Sequence, residues 1–508
     1  MKIRILCTCV LIFMLGVSFV SAEKPEVIKG AEKIKLVKKD ISKPLRDMPP
    51  AARPAGVKFI RQNHKFIESA PWQPDGALQT SAAPSINAPT AGSSFEGVGQ
   101  GVSGYSVCCV PPDTVGDVGP NHYVQMVNID LAVFNKSTGA RILGPIPTNT
   151  IWTGFSGRCS TNNDGDPIVL YDQFADRWIV SQFVASSPYK ECVAVSTTGD
   201  PTGSYHRYEY DFGNTFPDYP KVGIWPTEDA YFITYNMFTN RFVGPRVCAY
   251  QRSKLINGQT NTAQCFSPSS SYHSLLPADL DGSTMPAAGT DAYFINRYSS
   301  GLRSWRANMN WTTPSSSTFT GPTTVSGVQS YSAACSGGGT CVPQAGTSRT
   351  LDSLGDRLMH RAAYRVLSGN QSLVVNHSVT ASSTTGIRWY ELRPSGSGLT
   401  AFQQGTYTPD STHRWMGSAA MDKSGNLGVG YSASSSSINP AIRYTGRLAS
   451  DPLGTLQAES TIINGSGSQT THSRWGDYSS INVDPSDDCT FWFTTEYLSQ
   501  TGVFNWRT

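Results

Sequence analysis

One short phrase recurs along the chain. Its clearest copy is Gly165-Asp-Pro-Ile-Val-Leu-Tyr-Asp-Gln-Phe-Ala-Asp-Arg-Trp178. A Gly-Asp corner leads into an apolar strand, a polar turn follows, and a second strand opens on Trp178. Related starts lie at Gly116-Asp117, Phe216-Pro-Asp218, Ala278-Asp279, Gly355-Asp356, Arg414-Trp415 and Arg474-Trp-Gly-Asp477. Their spacing is roughly 50 to 75 residues, which suits stacked units of about four strands each. Runs rich in β-branched and aromatic residues, such as 122–128, 178–183, 230–235, 292–296, 372–376, 427–431 and 490–494, are punctuated by Gly, Asp and Asn. The pattern predicts an all-β chain: a single seven-bladed β-propeller with four-stranded blades over 96–508. A pair of β-sandwiches is the rival fold, but it leaves the seven related starts without a reason.

The N-terminal region reads differently. Residues 1–22 have the form of a signal peptide, with Lys2 and Arg4 ahead of an apolar run over 6–20 and small residues at Val20-Ser21-Ala22. That run is short for a membrane span, and no other long apolar run follows. The mature chain is therefore expected to lack a transmembrane segment, to be secreted to an extracellular or periplasmic space, and to be a monomer. Residues 23–65 are Lys-rich and broken by Pro44, Pro49, Pro50 and Pro54; 66–95 are rich in Ala, Pro, Ser and Thr. Together, 23–95 read as a disordered leader or linker, serving as a pro-segment, a basic tether or a plain spacer. Net charge is +3, which gives no case for nucleic-acid binding.

Cys7 and Cys9 belong to the signal peptide. In an exported chain most of the others should be oxidised. Local pairing predicts Cys159–Cys192, Cys248–Cys265 and Cys335–Cys341. Cys489 could bridge Cys108 or Cys109 and staple the ring shut, or Cys108 and Cys109 could pair with each other.

In a propeller the innermost strands converge on a central channel. The repeat starts should then bring Asp117, Asp166, Asp218, Asp356 and Asp477 to one mouth, with Lys221, Arg357, Arg414 and Arg474. Crowded carboxylates need cations or hydrogen bonds to offset their repulsion. The set is either a structural ring with turn-capping aspartates or a polar pocket for a charged ligand. Arg357, Arg414 and Arg474 hold matching positions, and guanidinium forks clasp carboxylates. His360, His413 and Tyr478 are candidate bases beside them. Trp415 and Trp475 could stack on a sugar face or pack between blades. Asn162-Asn-Asp164-Gly-Asp166 and Asp279-Leu-Asp281-Gly282 resemble fragments of calcium loops without the full spacing, which makes Asp164, Asp166, Asp279 and Asp281 candidate Ca2+ ligands.

The phrases Pro112-Asp-Thr-Val-Gly-Asp-Val-Gly, Gly165-Asp-Pro-Ile-Val-Leu-Tyr-Asp, Leu351-Asp-Ser-Leu-Gly-Asp-Arg-Leu-Met and Ser473-Arg-Trp-Gly-Asp-Tyr-Ser resemble those of secreted bacterial sialidase-like β-propeller proteins. The resemblance covers about 96–508 and implies the propeller fold and export. The chain lacks a Ser-x-Asp-x-Gly-x-Thr-Trp box and an assignable Tyr/Glu nucleophile pair, so the resemblance assigns no catalytic residue. Three functions are open: a propeller that binds glycans or cell-surface ligands at the channel mouth, a polysaccharide lyase or glycosidase acting on acidic sugars there, and an extracellular protein-interaction scaffold.

Overall fold

The computed structural model describes residues 25–53, 59–60, 64–66, 71–79, 88, 91–299 and 301–508. The signal peptide expected at 1–22 lies outside them. The chain is all-β and its sheets form a propeller-like arrangement. The first sheet is an antiparallel meander of Val115–Val118, His122–Val127, Asp130–Asn135 and Arg141–Pro147. Further meanders open on Ile168–Asp172, Phe216–Trp225, Leu276–Asp281, Ala362–Leu367 and His413–Met421. The chain ends in two short pairs, Ser480–Val483 with Phe491–Thr494 and Tyr497–Leu498 with Trp506–Arg507. Each opening strand lies against the next, and Ser480–Val483 returns to Val115–Val118, so the opening strands close a ring.

The ring is joined in two ways. Leu276–Asp281 runs parallel to Ala362–Leu367 as a true ladder. At other junctions side chains bridge to backbone. Asp117 accepts the Tyr171 N–H at 2.7 Å, and Asp279 accepts the Ile224 N–H at 3.0 Å. The Ser418 hydroxyl donates to His360 O at 2.8 Å and accepts the Ile481 N–H at 3.1 Å. Strands that fan around an axis cannot all pair edge to edge, and a short polar side chain satisfies backbone groups that would otherwise be buried unpaired. The sheets pack through aromatic and aliphatic layers, in which Trp178, Trp225, Trp305, Trp389, Trp415 and Trp475 are fully buried.

The leader is ordered where it is described, in contrast to the flexible tail its composition suggests. Leu36–Ile41 pairs with Tyr205–Gly213, Glu32–Ile34 with Ala263–Phe266, and Glu26–Lys29 with Thr318–Thr324. It thus adds an outer strand to three successive sheets. An outer strand otherwise presents a row of unpaired backbone groups, and the leader covers that edge. Over 33–36 its lysines alternate with apolar residues: Ile34 is buried while Lys33 is exposed. Arg207 and Arg246 hold it through Asp40 at 2.7 Å and Glu32 at 3.1 Å. Further on, Arg53 pairs with Asp130 of the first sheet. Residues 75–79 lie along the edge strand Gly398–Tyr407, with Thr406 N–H donating to Ala77 O at 2.8 Å and Asp75 paired to Arg388 at 2.7 Å.

Cys159–Cys192, Cys248–Cys265 and Cys335–Cys341 are bonded as expected. The ring is not stapled by a disulfide. Cys108 pairs with Cys109, and Cys489 is free, with its N–H donating to Asp487 in the turn between Ser480–Val483 and Phe491–Thr494. Hydrogen bonds hold that seam instead. The Ser480 hydroxyl accepts the Gly116 N–H and donates to Gly116 O, both at 2.9 Å, while Gly97 N–H donates to Thr508 O at 2.9 Å. No helix among the described residues is long and apolar enough to cross a membrane.

Candidate functional site

The strand entrances place two polar layers on the channel. The inner layer is structural in its contacts. Arg361 is buried, and its guanidinium binds Asp279 at 2.8 Å and both carboxylate oxygens of Asp281. Asp117 lies near this group, and burial, only partly offset by the Tyr171 N–H and Arg361, pushes its carboxyl up to about 8. Asp279 and Asp281, read as fragments of a calcium loop, are thus ligands of an arginine. Asp164, from the other fragment, accepts the Ala185 N–H at 2.8 Å. Among the described residues, no three His, Cys, Asp or Glu side chains are grouped so as to hold a metal ion.

The outer layer gathers Asp113, Asn128, Asp166, Asp218, Tyr219, Lys221, Arg357, Arg474, Asp477 and Tyr478. Tyr478 donates its hydroxyl to Asp166 Oδ2 at 2.7 Å. Asn128 joins two entrances: its Nδ2 donates to Asp113 Oδ2 at 2.7 Å, and its Oδ1 accepts the Asp166 N–H at 2.9 Å. Asp113 Oδ1 accepts the Asp477 N–H at 2.7 Å. Lys221 is buried between two phenol rings, with Nζ 3.3 Å from the Tyr219 ring centre and 3.5 Å from that of Tyr478, and it donates to Pro220 O at 2.9 Å. Burial drives its ammonium well below the usual lysine range, against the pull of Asp166 and Asp477.

Two carboxyls here hold their protons unusually well. Asp113 is fully buried beside Asp477 and Asp166, and burial together with these two charges raises it well above the carboxylate range. Asp218 is pushed up to about 7, first by burial and next by the charge on Asp166. Asp218 is partly exposed, as is Arg474. The strand Phe216–Trp225 bulges between Asp218 and Lys221, and Tyr219 adopts φ +56°. Asp166 has φ +45°. A left-handed backbone at a bulky residue costs about 1–3 kcal/mol, and such strain concentrates at functional sites. The His360 ring is buried near Tyr478, their ring centres 6.4 Å apart, and no protein hydrogen bond to either ring nitrogen is found among the described residues. Burial, with Lys221 and Arg361 nearby, keeps that ring neutral by lowering it well below the usual histidine value.

The arginines do not converge as a trio. Arg357 binds Asp356 through two hydrogen bonds of 2.8 and 2.9 Å, and Arg474 binds Asp477 through two of 2.7 and 2.9 Å. Arg414 stands apart, clasping Glu459 at 2.9 and 2.8 Å and Asp410 at 3.0 Å. His413 goes with it, its Nδ1 accepting the Thr385 N–H at 3.2 Å. Trp415 and Trp475 are fully buried, with ring centres 5.7 Å apart, so they pack between sheets and offer no face to a sugar.

Several site residues have no counterpart among those singled out from the sequence: Asp113, Asn128, Tyr219 and the buried Glu496, which accepts the Gly476 N–H. Asp113 sits in the same phrase as Asp117, four positions earlier, so the repeat could have pointed to it. Asn128 ends a strand and carries no repeat signal.

No family model matches the chain, and no curated protein matches it. Two solved structures are similar to it in outline. One is the crystal structure of exo-beta-1,3-galactanase from Phanerochaete chrysosporium with galactose, at 12% identity and TM-score 0.29, covering 75% of this chain and 80% of that one. The other is a polysaccharide lyase of family PL25, an ulvan lyase bound to -[GlcA(1-4)Rha3S]-, at 12% identity and TM-score 0.29, covering 76% of this chain and 77% of that one. Likeness at this level carries no argument about activity.

Proposed function

We propose that the protein is an exported seven-bladed β-propeller whose channel mouth hydrolyses a glycoside, with Asp218 as general acid and Asp166 as its carboxylate partner. The blade count rests on the seven opening strands that contact in order around the ring. Export rests on the disulfides and on the signal-like sequence at 1–22. The observation that carries the chemistry is Asp218, raised to about 7 by burial and next by the charge on Asp166, in the same layer as the Asp166 carboxylate that Tyr478 holds. In glycoside cleavage two carboxyls divide the labour, and one of them must keep its proton near neutrality. Asp218 holds its proton near neutrality and is partly exposed. It would give that proton to the departing glycosidic oxygen. Asp166, held by the Tyr478 hydroxyl, would face the developing positive charge at the sugar carbon or the incoming water.

Hydrolysis fits better than elimination. A lyase needs a free cation to neutralise a uronate carboxylate before a base removes its proton. Here Arg357 and Arg474 are already neutralised by Asp356 and Asp477. The same pairing supports a second reading, a propeller that binds glycans without turnover.

The test is a panel of neutral and acidic polysaccharides, followed by new reducing ends and by unsaturated-uronate absorbance, with Asp218→Asn and Asp166→Asn alongside. Reducing ends made by the native protein and lost in both variants support the hydrolase. Uronate absorbance supports a lyase instead. Binding on a glycan array without turnover supports the second reading, and silence in every assay leaves the interaction scaffold.

A further inference from the structure

The leader does not stay on the periphery. It leaves the first sheet at Arg53, and Asp75 rejoins the outer strands through Arg388. Between these anchors His64, Lys65 and Phe66 meet the Asp356–Arg357 corner, and every one of them is held. Arg357 donates to His64 O at 2.6 Å, and Asp356 Oδ2 accepts the Phe66 N–H at 2.8 Å. The Asp356–Arg357 pair therefore grips one carbonyl and one N–H of the same three residues. Lys65 Nζ reaches Asp352 at 2.9 Å and Gly338 O at 2.8 Å. The Phe66 ring stacks on His273 at 3.9 Å and 8°, and meets Phe242 edge-on at 4.8 Å. The His64 ring meets Phe238 at 5.1 Å.

We propose that Phe238, Phe242, His273, Asp352 and the Asp356–Arg357 pair form a peptide-binding site for a basic–aromatic segment, filled in this chain by its own His64-Lys65-Phe66. The features are those of peptide recognition: backbone groups read by a fixed fork, a lysine met by a carboxylate, and a ring met by an aromatic slot. The Cys335–Cys341 loop contributes by fixing Gly338, whose φ is +106° and where an added Cβ would come within 3.1 Å of Asp356. The site adjoins the channel layer through Arg357, whose other side lies 4.7 Å from the Tyr219 ring centre. The tethered segment thus covers the approach to Asp218. This last consequence rests on the function proposed above; the peptide site does not.

The experiment uses the full chain and a double variant, Lys65→Ala with Phe66→Ala. A fluorescent synthetic peptide, Gln-Asn-His-Lys-Phe-Ile-Glu, is titrated into each. A tether supplies an effective concentration in the millimolar range, so the native chain should bind the peptide about a hundredfold more weakly than the double variant. Adding Asp352→Asn to the variant should weaken peptide binding again. Hydrogen exchange on the unaltered protein gives a second readout, with the Phe66 amide protected. Equal peptide binding by both chains, or a Phe66 amide exchanging as in a free peptide, overturns the proposal, and neither readout depends on turnover. If the double variant also turns over its polysaccharide faster, the segment covers the active channel; peptide binding with unchanged turnover keeps the site and removes that role.

Discussion

Tyr478 and Asp166, 312 positions apart in sequence, meet through a hydrogen bond of 2.7 Å from the phenol to the carboxylate. The bond ties the last repeat to the second and sets the charge that faces Asp218. Tyr478→Phe should cost about 1–3 kcal/mol, because a buried carboxylate loses a donor. The measurement is the urea midpoint at unchanged slope.

Asp218 makes stability pH-dependent in a defined direction. Its folded carboxyl binds a proton more tightly than an unfolded one, pushed up to about 7 from the ordinary aspartate range. Its stabilising contribution is therefore complete below the unfolded value and is lost as pH rises through about 7. Asp218→Asn should flatten this part of the stability profile. In a turnover assay the native protein should lose rate above about pH 7, where the acid has given up its proton. A rate that rises across that range would rule out an acid role for Asp218.

Arg361→Ala should be among the most damaging single changes. It strips the cation from Asp279 and Asp281 in a buried setting. Removing one partner of such a group costs about 3–5 kcal/mol. Equilibrium denaturation checks this, and a loss below about 1 kcal/mol would place the pair in a far wetter channel than the geometry describes.

Ser480→Ala tests the seam. Both hydrogen bonds between its hydroxyl and the Gly116 backbone disappear, leaving a buried N–H and carbonyl with reduced pairing. A loss of about 1–3 kcal/mol is expected, with faster amide exchange at 115–118 than elsewhere in the ring.

The strand entrances and three of the disulfides were legible because each leaves a local signature. Asp166, Asp218 and Asp477 sit at corners that the repeat marks, and the structure brings them together. Arg414 and Trp415 share the same kind of position yet point elsewhere. There the strand His413–Met421 carries an irregularity between Trp415 and Ser418, and Glu459, from the far end of that sheet, takes the guanidinium. A period in sequence gives the position of a Cα and not the partner of a side chain. The leader's composition hides its strands for a related reason. Its lysines look like a solvated tail, but as strands they place every second residue outward, so high charge and regular pairing coexist. His64 and Phe66 carry no local signal. Their partners, Arg357 and Asp356, lie nearly 300 positions away, with sequence separations of 293 and 290.

The leader strands pair with the sheets in reverse order, the earliest with the latest. Glu26 stands opposite Gly321, Glu32 opposite Cys265, and Ile41 opposite His206. A growing chain therefore makes these strands long before their partners exist. Contacts this distant in sequence form slowly, after the loops between them have closed. The belt should be fastened from its far end backwards, as Tyr205–Gly213 emerges before Ala263–Phe266 and Thr318–Thr324. A chain whose synthesis stops before about residue 320 would keep Glu26–Lys29 as an unpaired strand, free to seek an edge on another molecule. The belt makes completion of the fourth sheet a condition for covering the chain's earliest strand.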